Sequence, residues 1–182
     1  SSEGIGTMGA EARKFVDFLS KAGMSIWQTL PISPTGYAES PYQSFSTFAG
    51  NPLLIDLRTL VRERVLPPFE HQELGKDPER VDFTKVIPFK RAKLKEAFRH
   101  AGKKLSGKVA RFREENAWWV EDYALFMALK EHFGGISWQD WPDEAIRMRR
   151  AAALRDYQTL LKAQVEEHVF IQYLFFSQWH KL

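Results

Sequence analysis

Aromatic and hydroxyl side chains cluster between residues 34 and 44, in the sequence PTGYAESPYQS. Tyr37 and Tyr42 lie among short polar residues, and Pro34 and Pro41 restrict the backbone around them. A sugar ring has an apolar C–H face and a rim of hydroxyl groups, so it suits an aromatic platform flanked by fixed polar groups. The segment therefore indicates a carbohydrate-binding loop. The alternative, equally open from the residues alone, is that the two tyrosines only pack the loop down.

Motifs for other chemistries do not occur in the chain. It has no cysteine, which excludes a disulfide scaffold, a thiolate nucleophile and a Cys-ligated metal site. The motifs of phosphate-binding loops, zinc peptidases and serine hydrolases are also absent from the sequence. GIGTMG at residues 4–9 has the glycine spacing of a dinucleotide-binding loop, but no strand precedes it, so a tight turn is favoured.

Acidic residues and histidines lie next to each other at two places in the sequence and could suggest a metal site. Their spacing on a helix argues against one. Glu131-His132 and Glu166-Glu167-His168 lie in segments of helical periodicity, where adjacent side chains point about 100° apart. The acid pairs at 114–115 and 121–122 are unsuited to catalysis for the same reason, because catalytic carboxylates must face each other across a substrate. We therefore expect no metal site and interpret the paired acids as helix-surface charges.

Positive charge is concentrated between Lys85 and Arg113, where eleven Lys or Arg residues are accompanied by one acid, Glu96. This window has a net charge of +10, and the rest of the chain has a net charge of −7. A basic segment of this kind can attract nucleic-acid phosphates. We favour a solvated helix face, because no array of stacking aromatic residues accompanies the charge.

The elements that position the loop are a helix and a short apolar segment before it. Apolar residues recur at helical spacing over residues 10–22, and Gly23 is placed to end that helix. The apolar run MSIWQTLPI at 24–32 predicts a buried strand, and residues 33–52 form an ordered loop after it. Binding sites form at the C-terminal ends of strands in parallel sheets and barrels.

The rest of the chain is predicted to be helical. We expect a short helical piece over 53–65, a connector over 66–90, and helices over 91–101, 108–133 and 151–182, with glycines 134 and 135 ending the second. The end of the last helix is apolar on nearly every side, and we expect nothing later in this chain to cover it. The stripe expected to lie uncovered consists of Val169, Phe170, Leu174, Phe175 and Trp179.

Composition and targeting signals favour a globular protein. The 182 residues are 44% hydrophobic and 14% aromatic, and the apolar runs are too short to span a membrane. The first residues lack the basic start and apolar stretch of a secretory signal, so a cytoplasmic location is the default expectation.

Long strings of the sequence resemble one enzyme family. IWQTLPISPTGYAESPYQSFSTFAGNPLLIDL at 26–57 is very similar to the signature region of the 4-α-glucanotransferases, the amylomaltases or disproportionating enzymes of glycoside hydrolase family 77. The resemblance continues in VDF at 81–83, LKEAF at 94–98, AWWVEDYALFMALK at 117–130 and QYLFFSQW at 172–179. It therefore covers essentially the whole chain.

The resemblance implies an α/β fold class, a portion of a (β/α)8 barrel with an inserted helical subdomain, although this chain itself is mostly α-helical. Residues 1–60 would be the first part of the barrel, with the substrate loop at 33–52. Residues 61–150 would be the inserted subdomain, and residues 151–182 a long helix returning to the barrel.

The resemblance also implies an activity, the transfer of 4-α-glucanosyl segments between α-1,4-glucans by a retaining double displacement without metal or cofactor. The implied partners are maltooligosaccharides, amylose or other α-1,4-glucans, and glucose as acceptor. The three catalytic carboxylates of the family have no counterpart here. The chain is therefore expected to be one piece of a longer enzyme, inactive alone.

Three residues match the binding positions of the family. Ser40 and Tyr42 match loop positions that contact sugar in the active-site cleft, and Tyr37 matches an aromatic residue of a second glucan site. The partner tyrosine of that second site would align near Ile87, so the pattern departs there. Two other function classes stay open: a non-catalytic glucan-binding module using the same loop, and a basic helical nucleic-acid-binding protein using the window from Lys85 to Arg113.

Overall fold

The computed structural model describes residues 3–70, 72, 74, 77 and 79–182. Regular structure in this part of the chain is helical, which confirms the expectation of a mostly α-helical chain. The α-helices are α1 (Ala10–Lys21), α2 (Leu57–Arg62), α3 (Phe83–Ala101), α4 (Ser106–Glu115), α5 (Ala117–His132), α6 (Glu144–Arg147), α7 (Ala151–Leu160) and α8 (Lys162–Trp179). Short 3-10 helices span Tyr37–Glu39, Pro52–Leu54 and Trp138–Asp140.

The chain divides into two compact units. The first unit comprises Ser1–Ser106 together with Ile171–Leu182, and the second comprises Gly107–Phe170. The first unit therefore contains α1 to α3, the loop at 33–52 and the end of α8. The second contains α5 to α7 and most of α4.

Two helices end as the sequence predicts, at glycines in the left-handed conformation. Gly23 has a φ of 74°, and its N–H donates to the Ser20 carbonyl at 3.0 Å, while the next N–H donates to Leu19 at 2.9 Å. Gly134 and Gly135, with φ of 69° and 81°, end α5 by the same pair of bonds. This pattern is the Schellman motif, and it favours glycine because a Cβ is unfavourable at positive φ.

The buried strand predicted over residues 24–32 is wrong. These residues have no regular secondary structure, and the side chains of Ile26 and Leu30 are 84% and 59% exposed. A strand needs a neighbouring strand to take its backbone hydrogen bonds. Within the described residues the only bridge of this kind is isolated, between Thr35 and Ser44.

The connector predicted over 66–90 is wrong for its last part, because α3 begins at Phe83. Pro88 lies inside this helix, where it removes a backbone hydrogen bond at a cost of about 3 kcal/mol. The helix tolerates Pro88 because its buried face packs well. Val86 lies in an apolar cluster with Leu53 and Leu74.

Each of the two long C-terminal helices of the sequence prediction is a pair of helices. Asn116 separates α4 from α5, because its side chain donates to the Phe112 carbonyl at 2.8 Å and accepts from the Trp119 indole at 3.0 Å. Side chains that bond locally in this way compete with the helical pattern. The second break falls at Leu161, between α7 and α8.

The apolar stripe expected to lie uncovered is mostly buried. Val169, Phe170, Leu174 and Phe175 are each at most 2% exposed, and only Trp179 is partly open at 39%. In the first unit the cover comes from earlier in the chain. The ring of Phe175 lies against Gly50, where an added Cβ would be only 2.0 Å from it.

The segment GIGTMG turns tightly before α1. Gly4 has a φ of 70°, and a Cβ added at Gly9 would lie 2.2 Å from a carboxylate oxygen of Asp56. This geometry agrees with the tight turn predicted from the sequence. Among the described helices, none has both the length and the apolar character needed to span a bilayer.

Candidate functional site

The loop at residues 33–52 is ordered by its own backbone hydrogen bonds. The Glu39 N–H donates to the Gly36 carbonyl at 3.3 Å, and the Gln43 N–H donates to the Ser40 carbonyl at 3.2 Å. The antiparallel bridge between Thr35 and Ser44 closes the base of this turn. The loop therefore presents a tip of defined shape.

Two residues at the tip have left-handed backbones without being glycine. Ala38 and Glu39 have φ of 53° and 54°, a conformation that costs about 1 kcal/mol or more for each such residue. The hydroxyl of Thr35 donates to the carboxylate of Glu39 and holds it. Gly36 lies so close to the opposite side that an added Cβ would be 2.5 Å from the Gln43 carbonyl oxygen. Strained residues that are held by their surroundings cluster at binding sites.

The structure brings Ser40 and Tyr42 together at this tip. The Tyr42 N–H donates to the Ser40 hydroxyl oxygen at 3.3 Å. The Tyr42 side chain is 73% exposed and Ser40 is half-buried. Most of Tyr42 therefore makes no packing contact within this chain. Tyr37 lies in the 3-10 helix, and its side chain is outside the described part of the structure.

Serine hydroxyls order the second half of the loop. The Ser44 hydroxyl donates to the Ser46 carbonyl at 2.7 Å, and the Ser46 hydroxyl accepts from the N–H groups of Phe48 and Ala49, each at 3.2 Å. Phe45 and Phe48 remain exposed. These turns hold the backbone between Tyr42 and the buried end of the loop.

Two glutamines of α8 anchor the segment that follows the tip. The Gly50 N–H donates to the amide oxygen of Gln172 at 2.8 Å, and the amide nitrogen donates back to the Gly50 carbonyl at 2.9 Å. Gln178 binds the N–H and carbonyl of Asp56 in the same way, at 2.8 and 3.0 Å. Both glutamines are 0% exposed. Sequence reasoning missed them, although two polar residues in an apolar helix need buried partners.

Asp56 joins the loop to α2 and to the turn before α1. Its carboxylate accepts from the Thr59 N–H at 2.6 Å, which caps α2, and from the Thr7 hydroxyl at 2.9 Å. Burial alone would raise the pKa of Asp56, but the hydrogen bonds from Thr59 and Thr7 and the charge of Lys90 together hold it below its ordinary value.

A buried ion pair lies beneath this segment. Lys90 is 0% exposed, and its Nζ pairs with the carboxylate of Glu3 and donates to the Ile55 carbonyl at 2.6 Å. The other oxygen of Glu3 accepts from the Leu57 N–H at 3.0 Å. Burial lowers the pKa of Lys90, and the charge of Glu3 opposes that shift. Lys90 therefore departs from the solvated face predicted for the basic window.

Other cations of the basic window are paired with acids, several of which lie outside it. The pairs are Lys85 with Asp82 at 3.6 Å, Lys93 with Glu96 at 2.8 Å and Arg111 with Glu115 at 2.8 Å. Arg113 binds Glu121 and, at 2.6 Å, Glu166, which raises its pKa. This pairing reduces the local charge available to a nucleic acid.

Metal ligands do not converge in the described part of the chain, where no three His, Asp or Glu side chains are grouped. The acids and histidines noted in the sequence pair across helices. His168 Nε2 lies 3.2 Å from the Glu131 carboxylate.

Comparison with known proteins identifies relatives over the whole chain. A family model described as 4-α-glucanotransferase, glycoside hydrolase family 77, matches residues 1–182. The 4-α-glucanotransferase of Thermus thermophilus is 48% identical over 183 residues, and that of Clostridium butyricum is 41% identical over 181 residues. Each alignment covers 98% of this chain, but only 36% and 37% of the relatives.

A solved structure gives the same result. The amylomaltase from Streptococcus agalactiae in complex with acarbose is 39% identical and matches with a TM-score of 0.93, over 100% of this chain and 37% of that one. The chain thus spans little more than a third of the length of these relatives. From the match over all 182 residues and the likeness in structure, it follows that this chain belongs to the 4-α-glucanotransferase family, glycoside hydrolase family 77.

Proposed function

We propose that this chain is part of a 4-α-glucanotransferase that transfers 4-α-glucanosyl segments between α-1,4-glucans by a retaining double displacement. The observation that carries the proposal is the family match over the whole chain. The substrates would be maltooligosaccharides, amylose or other α-1,4-glucans, with glucose as an acceptor. The complete enzyme would form a (β/α)8 barrel, with this chain supplying part of the barrel and its inserted helices.

Loop 33–52 is proposed to bind the glucan, with Tyr42 as an aromatic platform and Ser40 as a hydrogen-bonding partner. Tyr42 is 73% exposed on a loop whose tip and base are both hydrogen-bonded. Because the backbone that carries the ring is already ordered, binding restricts only the side chain, and stacking against the C–H face of a sugar is favourable. The Ser40 hydroxyl lies beside it and can bond to a sugar hydroxyl.

An outer glucan site at Tyr37 is proposed to be weak. The position expected to supply a second aromatic residue is Ile87, which is half-buried in α3 and packs against the cluster of Leu53, Leu74 and Val86. An aliphatic side chain used for packing offers no flat face to a sugar ring. Tyr37 would then act alone at that site.

The catalytic carboxylates are proposed to lie in the rest of the enzyme. Retaining transfer needs two carboxyl groups about 5 to 5.5 Å apart across the scissile bond. The paired acids of this chain have other partners, since Glu115, Glu121 and Asp122 bind Arg111, Arg113 and Arg149. The proposal needs no metal or cofactor. The cytoplasmic location stays a prediction.

The experiment compares the complete enzyme with its Tyr42→Ala variant. Loss of an aromatic platform should weaken transition-state binding by about 1 to 3 kcal/mol. The value of kcat/KM for maltotriose disproportionation should therefore fall by roughly 5- to 150-fold. Trp118→Ala is the matched control, because Trp118 is 69% exposed on α5 and lies far from the loop in sequence. Unchanged activity in Tyr42→Ala would show that the ring does not bind substrate. An inactive wild-type enzyme would refute the proposed function itself.

A further inference from the structure

A pocket on the second unit lies apart from the loop discussed above. Its volume is about 280 Å³, and helix α5 and residues 138–154 form its walls. This is just below the roughly 300–1,000 Å³ of pockets that hold drug-sized ligands, so it suits a single ring. Its lining is mainly apolar and includes Phe126, Trp138 and Trp141.

The two tryptophans of the pocket differ in exposure, one being partly open to solvent and the other buried. Trp138 is 48% exposed, and Trp141 is 3% exposed and packs its ring 5.8 Å from that of Phe126. The backbone carbonyl of Trp141 accepts from Arg147 at 2.7 Å, which fixes its position. Trp141 and Phe126 therefore form a packed apolar wall, and Trp138 adds a partly exposed ring beside it.

The rim of the pocket has a planar charged pair. Arg149 Nη2 donates to both carboxylate oxygens of Asp122, at 3.0 and 2.9 Å, and both side chains are more than half exposed. The guanidinium keeps further N–H donors and the carboxylate keeps further lone pairs, and sugar hydroxyl groups can bond to both. Both residues also line the pocket, so their remaining donors and acceptors border the aromatic surface.

The backbone at Arg149 supports a role for its side chain. Arg149 follows the end of α6 with a φ of 52°, a position usually occupied by glycine. Its N–H donates to Ile146 at 3.0 Å, and the next N–H donates to Ala145 at 2.9 Å. An arginine is less favourable than glycine in this conformation, because its Cβ crowds the backbone. The side chain at this unfavourable backbone position places a guanidinium at the rim of the pocket.

One buried polar atom in the lining has no partner among the described residues. The indole N–H of Trp141 is buried without a hydrogen-bond acceptor. Buried donors of this kind are rare, because an unpaired buried N–H destabilises the folded state. The indole N–H lies below the surface that a ligand would touch, so the polar contacts of the pocket come from Asp122 and Arg149.

We propose that this pocket binds one glucosyl unit of an α-1,4-glucan, as a secondary site separate from loop 33–52. Trp138 stacks on the sugar ring, and Asp122 and Arg149 bind its hydroxyl groups. The choice of glucan as the ligand rests on the proposed function. The site increases the affinity of the enzyme for long glucans and takes no part in bond cleavage.

The experiment measures the retention of the complete enzyme in native gels that contain amylopectin, with maltose as competitor. Trp138→Ala should weaken retention about tenfold, and Arg149→Gly should weaken it about fivefold or more. Arg149→Gly keeps the fold intact, because glycine adopts the observed φ without strain. Trp118→Ala is the control, since Trp118 is exposed in the same unit and does not line the pocket. It should leave retention unchanged.

The proposal is overturned if both pocket variants are retained as strongly as Trp118→Ala, or if maltose does not reduce the retention of the wild-type enzyme. Turnover of maltotriose by the wild type is recorded separately. Its absence would refute the proposed function, whereas normal turnover with unchanged retention in the pocket variants would refute only the secondary site.

Discussion

Replacing Gln172 by methionine tests whether the glutamine anchors hold the loop. The side chain is 0% exposed and binds both the N–H and the carbonyl of Gly50, at 2.8 and 2.9 Å. Methionine has a similar length and volume but neither donates nor accepts a strong hydrogen bond. The change therefore leaves two buried backbone groups of Gly50 without partners.

The expected loss of stability follows from those two groups. Each unpaired buried group costs about 1 to 3 kcal/mol, so the sum is roughly 2 to 6 kcal/mol. Burying an apolar methionine in place of an amide offsets part of the lost free energy, and we expect a net loss of about 2 to 5 kcal/mol in the free energy of unfolding. A loss of this size is a large fraction of the stability of a domain.

The assay is urea unfolding followed by circular dichroism on the 182-residue chain. Gln164→Met is the matched control, because Gln164 lies exposed on the same helix and its replacement should change the free energy of unfolding by no more than about 0.5 kcal/mol. If Gln172→Met and Gln164→Met unfold at the same urea concentration, the amide bonds to Gly50 contribute nothing measurable. The anchoring argument would then be wrong.

Two further predictions concern glycines and pH. Gly50→Ala should lower the free energy of unfolding in urea by about 1 to 3 kcal/mol, since the added Cβ would lie 2.0 Å from the Phe175 ring. Gly107→Ala in α4 is the control, because its Cβ meets nothing within 4 Å and alanine favours a helix, so it should raise that free energy. Equal effects of the two variants would contradict the packing at Gly50. Because the pKa of Asp56 is lower in the folded state, its ionised carboxylate stabilises the fold. This contribution is fully present at pH values above the ordinary pKa of 3.8, and it is lost as the pH falls through the folded-state pKa. Unfolding midpoints from pH 7 to pH 2 should therefore fall less in Asp56→Asn than in the wild type or in an Asp17→Asn control, and parallel curves would refute the role of Asp56.

Features set by a few neighbouring residues were predictable from the sequence. The helix predicted over 10–22 and the ends at Gly23 and Gly134 depend on local periodicity and on positive φ. The ordered loop was also visible, because its proline and serine residues act on their own backbone. Local chemistry explains these successes.

Features that depend on distant partners were not predictable. The apolar run at 24–32 has the composition of a strand, but strand structure requires a partner that the described residues do not supply. Pro88 indicates a helix boundary locally, and only the packing of Val86 explains why α3 continues through it. Asn116 breaks a helix through its bond to Trp119, although its residue type alone permits either outcome.

The candidate site shows the same division. Loop composition and the family resemblance predict Ser40 and Tyr42 as binding residues, and the structure places the Tyr42 N–H against the Ser40 hydroxyl with Tyr42 exposed. The pocket at Trp138 could not be predicted from the sequence. Its lining residues are spread over residues 122 to 154, and their spacing as a whole matches neither the helical nor the strand period. Its one sequence clue is an arginine where helix α6 ends.

The two glutamines also explain why distant strings of this sequence belong together. Gln172 binds Gly50 near the end of the loop, and Gln178 binds Asp56 just after it. Residues six apart on α8 therefore hold residues six apart in the earlier segment. Six residues of α-helix rise about 9 Å and turn through about one and two-thirds turns. The segment from 50 to 56 must therefore advance by a similar length and follow the surface of α8. A change in the spacing of either pair would misalign at least one anchor, so QYLFFSQW and the end of the loop constrain each other.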